Sequence, residues 1–283
     1  MKRTVGITSE YDGFCVRDYV RSILGFSSRA FKDAKYHGSI TVNDIPVFAN
    51  CILHTGDVLC LQVAEAGSAS VEPRDIPISV LYEDEDYLFV DKPAGMPAHP
   101  SFNHKDATLA NAVMFYYRDV PFTFRLLTRL DADTTGVAVI AKNAFAAGAF
   151  LSCNPQKTYY AFCECRPDPP CGTIDAPIGR APDSIIKRIV CSDGKPSRTE
   201  YEFVAAYGAL SLVRVIPLTG RTHQIRLHLS HIGCPLYGDF LYGTEIPGER
   251  TRLHCGALSF LHPVSGRYLE VSAPLPEDFR RLM

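Results

Sequence analysis

The chain contains no tryptophan, no C-x-x-C spacing and no apolar run long enough to span a bilayer. Each absence narrows the field. A carbohydrate cleft lacks the indole on which sugars stack, a zinc knuckle or dithiol redox site lacks its ligand pair, and a transmembrane helix, which needs about 20 apolar residues in succession, is not expected. The opening residues Met1 to Glu10 hold no continuous apolar stretch of the kind that directs export, so the expected location is the cytoplasm. Charge of one sign is also scarce: the net charge is −2, which argues against a protein that grips nucleic acid over its whole surface. Internal repeats and low-complexity segments are absent from the sequence as well.

What remains is ordinary globular composition, 46% hydrophobic and 21% charged, in 283 residues. That length favours a small domain followed by one of about 200 residues, and the balanced net charge favours a monomer. Ten cysteines are scattered from Cys15 to Cys255 and read as reduced, mainly buried thiols; Cys163, Cys165 and Cys171, the closest arrangement, give no reason to expect a metal. From Arg180 to Ser230 eight basic residues face four acidic ones, a local excess that suits a phosphate-facing stripe or simply a solvated surface.

The patterning divides the chain in three. Residues 14 to 25 read as an amphipathic helix stopped by Gly25; a second helix follows, with Arg29, Lys32 and Lys35 at spacing three on one side and Gly38 at its end. Segments 39–44 and 58–63 alternate like short strands, so 1–65 form a small helix, helix, strand, strand unit. Residues 66–77 are small, polar and proline-bearing, the chemistry of a linker. Across 78–283 eight strand-like runs (79–82, 87–91, 137–141, 158–163, 197–204, 209–216, 256–260 and 268–271) outnumber three helical ones (108–117, 144–153 and 223–232). The expected fold is α+β, a mixed and mostly antiparallel sheet preceded by a small α/β domain.

Two segments carry chemistry. Leu126-Leu-Thr-Arg-Leu-Asp-Ala-Asp-Thr-Thr-Gly136 sets Asp131 among apolar and small residues just before a strand. Gly220-Arg-Thr-His-Gln-Ile-Arg-Leu-His228 offers the cation and donors that a sequestered carboxylate needs. Together, RLDADTTG and GRTHQIRLH resemble the signature segments of the RluA-type pseudouridine synthases, which isomerise uridine within RNA. Residues 84–100, 233–243 and 253–258 resemble the family's opening and closing signatures in the right order, so the likeness spans about 78 to 276. The N-terminal order, with basic residues on its second helix and the string GSITVND, resembles the S-four-type RNA-binding domain.

The resemblance implies an aspartate-dependent reaction that needs no metal or redox cofactor. Breaking the bond between ribose and base nitrogen, turning the base and rejoining it through carbon calls for a carboxylate at the anomeric region. Asp131 fits that role as nucleophile or as base. The resemblance makes Arg226 the residue that orients Asp131, Tyr159 of Lys157-Thr-Tyr-Tyr-Ala161 the platform for a flipped base, and Arg129 the filler of the gap the base leaves. Arg221 and His223 are expected to contact phosphate or ribose or to hold the turn after Gly220, and Gln224 is expected to contact substrate, as are Arg29, Lys32 and Lys35 on the small domain. Tyr160 is expected on the opposite sheet face, in the core. Thr128 stands where the family has histidine, a change expected to alter an RNA-side contact. The implied partner is ribosomal or transfer RNA.

Plainer readings accompany these. Asp133 with Thr134-Thr135-Gly136 suits a turn, and Lys92 and His99 suit a rigid proline-rich loop bracing the site. His223, His228 and His231 do not keep to one helical face, which disfavours a metal. Two other functions fit parts of the sequence: a non-catalytic RNA-binding or ribosome-assembly factor, and a glycosidase with Asp131 and Asp133 as its acid and base. The second leaves GRTHQIRLH unexplained.

Overall fold

A computed structural model describes residues 2–26, 28–62, 71–101, 105–263 and 265–283, and the side chain of Arg29 lies outside the described part. Two hydrogen-bonded assemblies dominate. In the first, β1 (Lys2–Gly6), β2 (Ser39–Val42), β3 (Ile45–Pro46) and β4 (Val58–Gln62) form a four-stranded sheet in the order β1-β4-β2-β3. It packs against a short α1 (Val16–Asp18), a wider π-type turn at Tyr19–Ile23, and α2 (Ser28–His37).

This part differs from the sequence reading at several places, among them the two-residue β3 beyond the expected 39–44 run. The expected 14–25 helix starts only at Val16, because residues 13–15 run extended beside 51–53: Gly13 N–H donates to the Leu53 carbonyl at 2.9 Å and Leu53 N–H to the Phe14 carbonyl at 2.8 Å. An unforeseen first strand, β1, pairs along its whole length with β4. Its half-exposed alternation over five residues is too short to stand out in the sequence.

The second assembly is a nine-stranded sheet whose main path runs β5 (Ser79–Glu83), β6 (Tyr87–Lys92), β7 (Thr135–Ala141), β14 (Leu253–Leu261), β8 (Gln156–Cys163), β13 (Leu210–Pro217), β12 (Arg198–Tyr207), β9 (Cys171–Asp175), with β15 (Tyr268–Ser272) paired to β14. Every pairing is antiparallel except β7 with β14. A two-stranded ribbon, β10 (Ile178–Arg180) with β11 (Arg188–Val190), stands apart. These observations make the chain α+β with a mixed, mostly antiparallel sheet. All eight expected strands are present, and α3 (Leu109–Tyr116), α4 (Ala144–Ser152) and α5 (Gln224–His231) occupy the expected helical runs; a short α6 (Glu277–Arg280) was not foreseen. β9 to β11 were missed because each is at most five residues long and only partly buried.

Local chemistry accounts for the element ends that matter. Thr108 and Asn111 cap α3 reciprocally, and Asn143 caps α4 by accepting from the Ala146 N–H at 2.8 Å. β7 is buried at all seven positions, as a central strand covered on both faces must be. Gly136 lets β7 approach β14: its φ is +105°, and a Cβ there would lie 2.1 Å from the Cys255 carbonyl oxygen. Helix α4 is shared between cores, since Phe145 and Ala149 join the cluster of the four-stranded unit while Ala146 and Phe150 join that of the large sheet. The described part of the expected linker, 71–77, is irregular and lies against α3, with Asn111 Nδ2 donating to the Glu72 carbonyl at 2.8 Å.

Candidate active site

The centre of the large sheet positions the two sequence segments. Register places both Gly136 of β7 and Tyr159 of β8 opposite Cys255 of β14, so the loop that feeds β7 lies two strands from Tyr159. α5 follows β13, the other neighbour of β8, and brings Arg226 across. Between them is a cavity of roughly 400 Å3 walled by Arg129, Asp131, Lys157, Tyr159, Arg221, His223, Gln224 and Arg226 together with apolar residues such as Leu130, Ile225 and Leu253.

Asp131 and Arg226 meet there, with Arg226 Nη1 donating to Asp131 Oδ2 at 3.3 Å. The Asp131 side chain is 26% exposed while that of Arg226 is 6% exposed, so the carboxylate faces the cavity and the guanidinium backs it. Arg226 is held in turn by Asp239, a fully buried carboxylate that accepts from Nε at 2.7 Å and Nη2 at 2.6 Å. Burial opposes the Arg226 charge, but Asp239 and then Asp131 outweigh it and raise its pKa above the ordinary arginine value. A fork engaged on two edges cannot rotate freely, which fixes the one nitrogen left for Asp131. Phe240 and Tyr242 flank the same guanidinium, their ring centroids 5.6 and 5.4 Å from Cζ.

His223 Nε2 is 3.8 Å from the same Asp131 oxygen, and its Nδ1 is 3.0 Å from the Tyr242 hydroxyl. Its backbone is left-handed, at φ +56°, an uncommon conformation for a residue with a Cβ and one concentrated at functional sites. Burial pulls its pKa below the ordinary histidine value despite Asp131, which favours the neutral ring. Tyr159, buried in the wall, has its phenol pKa pushed far up by burial and by neighbouring Cys255 and Asp131, so it remains a neutral hydroxyl.

The loop carrying Asp131 is pinned at successive residues. Lys92, almost completely buried, donates from Nζ to the Ala132 carbonyl at 2.8 Å and to those of Pro93 and Met96 at 2.9 Å. Burial draws its pKa down to about 8. Arg250 donates to the Asp133 carbonyl at 2.8 Å while gripping Asp278 with two nitrogens, and the Thr135 hydroxyl lies 2.9 Å from His254 Nδ1. The segment carrying Asp131 thus rests on a scaffold with its own hydrogen bonds.

Residues 86–231 match the family described as RNA pseudouridylate synthase, a span that holds Asp131, Tyr159 and Arg226. An uncharacterized RNA pseudouridine synthase of Bacillus subtilis is 37% identical over 277 residues, covering 95% of this chain and 98% of that protein. The ribosomal large subunit pseudouridine synthase D of Pseudomonas aeruginosa is 36% identical, covering 87% of this chain and 83% of that protein. The chain belongs to the RluA-type RNA pseudouridine synthases. Among solved structures, the human RNA pseudouridylate synthase domain containing 1 aligns with a TM-score of 0.60 at 29% identity, covering 72% of this chain and 86% of that one.

Within this pseudouridine synthase the cavity gathers seven residues named from the sequence: Asp131, Tyr159, Arg226, Arg129, Arg221, His223 and Gln224. Their surroundings separate them. Arg129 is exposed at the rim. Arg221 is exposed too, although its Nε and Nη2 each lie 3.3 Å from the Pro196 carbonyl, so it also holds the turn. Gln224 requires correction as a substrate contact: its oxygen accepts from Thr219 and the Arg221 N–H, and its amide donates to the Arg198 carbonyl and to Thr199. With that capacity occupied it braces the loop. Lys32 and Lys35 are exposed on α2, away from the cavity's walls, and the Arg29 side chain is outside the described part.

Thr128, where the family has histidine, is buried, and its hydroxyl accepts from the Val139 N–H at 2.9 Å, so the side chain at this position anchors its segment to β7. Asp133 lies in the turn after Asp131 and outside the cavity, where Asp131 is the one acid among the described lining residues; the paired-carboxylate reading has no second carboxylate there. Tyr160 lies on the opposite face, partly buried beside Phe162, Leu212 and Phe279. His228 is committed to Thr199 and the Ala176 carbonyl, and no group of three or more His, Cys, Asp or Glu among the described residues is arranged to hold a metal ion. No described helix is long and apolar enough to cross a membrane.

Asp239, Tyr242 and Lys157 were not singled out from the sequence. Asp239 did leave a signal: it is the lone acid in Pro235-Leu-Tyr-Gly-Asp-Phe-Leu-Tyr242, and an acid among aromatic and apolar residues requires a partner when buried.

Proposed function

We propose that the chain isomerises uridine to pseudouridine in ribosomal RNA, with Asp131 as the reacting carboxylate, Arg226 orienting it and Tyr159 supporting the extruded base. The observation that carries the assignment of Asp131 is its half-open position in the cavity, 3.3 Å from a guanidinium that Asp239 holds from behind. A uridine whose base lies on Tyr159 directs its sugar toward Asp131. The carboxylate then attacks the anomeric carbon or removes a proton from the neighbouring sugar carbon, and either event releases the base from its nitrogen link. The turned base rejoins through C5 and gives up the C5 hydrogen.

Two relatives are named ribosomal large subunit pseudouridine synthases, which favours ribosomal over transfer RNA as substrate. In this reading 1–65 form an RNA-docking domain whose exposed Lys32 and Lys35 meet phosphates, 66–77 a linker, and 78–283 the catalytic domain, in a cytoplasmic monomer. The alternative of a non-catalytic RNA-binding factor is disfavoured by Lys92, Arg250 and Asp239, since a protein that only binds RNA has no need to brace one carboxylate and its guanidinium so extensively.

The experiment is mass-spectrometric mapping of pseudouridine in ribosomal and transfer RNA from cells with and without the protein, and from cells carrying Asp131→Asn. Loss of the same sites in the deletion and in Asp131→Asn, with RNA binding by the variant retained, is the expected result. A map unchanged by deletion counts against the activity, and undiminished modification by Asp131→Asn counts against the site.

A further inference from the structure

The cavity wall contains four cationic side chains, Arg129, Lys157, Arg221 and Arg226, against one carboxylate. Three have an evident setting: Arg226 is taken by Asp239 and Asp131, Arg221 leans on the Pro196 carbonyl, and Arg129 stands at the exposed rim. Lys157 is different. It is partly buried on β8, two residues before Tyr159, and alternation puts the two side chains on one face of the strand, where both line the cavity. Its ammonium has no hydrogen bond or ion pair among the described residues. Burial lowers its pKa from the ordinary lysine value, with the Cys255 thiol the neighbour that opposes this, so an anion or a carbonyl dipole at the ammonium would relieve a real desolvation cost.

The proposed reaction supplies such a group. When the bond between C1′ and N1 breaks, its electron pair stays with N1 and the detached uracil is an anion, with charge shared among N1 and the two ring carbonyl oxygens. Rejoining through C5 neutralises that charge: C5 bonds to C1′, the C5 proton leaves, and N1 takes up a proton. Charge therefore develops in the ring only during the step. A donor fixed beside Tyr159 stabilises it more than it stabilises the bound uridine, which is the condition for catalysis.

We propose that Lys157 is a catalytic residue that donates a hydrogen bond to a carbonyl oxygen of the uracil lying on Tyr159 and stabilises the uracil anion formed when the glycosidic bond breaks. The lysine keeps its proton throughout and supplies only the hydrogen bond. Successive same-face positions on a strand are about 6.5 to 7 Å apart, within the span of a lysine side chain and a base ring. This proposal rests on the pseudouridine synthase reading of the cavity.

The test uses full-length wild type, Lys157→Gln, Lys157→Arg and Asp131→Asn with ribosomal RNA isolated from cells lacking the protein and labelled as [5-3H]uridine. Forming the new bond expels the C5 hydrogen, so tritium release under single turnover with saturating enzyme reads the chemistry, and filter retention reads RNA binding. Lys157→Gln is expected to slow release by about 100-fold with the Kd unchanged within about twofold, the scale seen when one transition-state donor is removed. Lys157→Arg, which keeps the charge, is expected to recover to within about tenfold of wild type. Release by Lys157→Gln within about threefold of wild type overturns the proposal, as does equal slowing in the Gln and Arg variants. A weakened Kd with an unchanged saturated rate also overturns it, by making Lys157 a phosphate contact. Absence of tritium release from wild type refutes the underlying reading as well, whereas release by wild type, silence of Asp131→Asn and fast Lys157 variants refute the lysine alone.

Discussion

Substituting Asp239→Asn removes one negative charge from a carboxylate that is fully buried and joined to Arg226 by two hydrogen bonds of 2.7 and 2.6 Å. The shape is kept, but an amide offers one acceptor oxygen where the carboxylate has two, and Asp239 Oδ1 also accepts from the Leu241 N–H at 3.0 Å and the Tyr242 N–H at 3.2 Å. Breaking one side of a buried ion pair costs about 3 to 5 kcal/mol. Asp131 still faces Arg226 at 3.3 Å and balances part of its charge, which brings the expected loss to about 2 to 3 kcal/mol. The released guanidinium is then free to turn onto Asp131, so the rate under saturating enzyme falls at least about tenfold, in line with the sensitivity of reacting geometry to small displacements. Urea unfolding measures the first quantity and tritium release the second. Adding Arg226→Met removes the uncompensated cation, so the double variant is expected to lose less stability than the sum of the singles by about 1 kcal/mol or more. Strict additivity, or a single-variant loss below about 0.5 kcal/mol, would show that the buried pair does not organise this corner.

Three further outcomes follow from the same structure. His254 has its pKa drawn down to about 4 by burial; the unfolded chain therefore binds a proton between about pH 6.5 and 4 that the folded protein refuses, and about 3 kcal/mol of stability present above pH 6.5 is lost as the pH falls through that window. Urea midpoints compared for wild type and His254→Gln across that window should show the variant losing less on acidification, and parallel curves refute the assignment. Lys92→Met leaves three carbonyls without their donor and is expected to cost about 2 kcal/mol while slowing the saturated rate more than it weakens RNA binding; an equal effect on both would contradict its role as a brace of the Asp131 loop. Because burial holds Tyr159 neutral far above the ordinary tyrosine value, wild type and Tyr159→Phe should give rate–pH profiles of the same shape up to about pH 10, and a wild-type break near pH 10 absent from the variant would count against that.

The legible parts of the fold are those in which period and composition agree. β7 and β8 announce themselves through runs of β-branched, aromatic and small apolar residues, and α4 through its apolar and small-residue run. β1 owes its form to β4, a partner strand distant in the chain that no local pattern records, whereas β10 and β11 pair with each other nearby but are three residues each, too short for a period to show. The same division holds in the site. Asp131 and Arg226 lie in segments dense with chemistry, whereas the role of Gln224 depends on Arg198 and Thr199, and that of Thr128 on the Val139 N–H, partners that only folding reveals. Asp239 lies between these cases: its residue type among apolar neighbours announced a buried charge, but the identity of its partner did not follow from spacing.

Helix α4 determines how this enzyme can be divided. Phe145 packs against Phe26 with the rings tilted and their centroids 4.9 Å apart, and it lies under the Arg3 guanidinium at 4.1 Å, while Arg3 reaches Asp86 at 3.6 Å. A chain cut to begin at residue 71 would keep α4 but present Phe145 and Ala149 to water as an oily scar and deprive Asp86 of its cation. The front unit is therefore bolted to the body instead of hanging from a tether. On the proposed RNA-docking role of the small unit, an RNA that touches both must match the spacing fixed between them, and the protein works as a caliper whose jaws are set during folding.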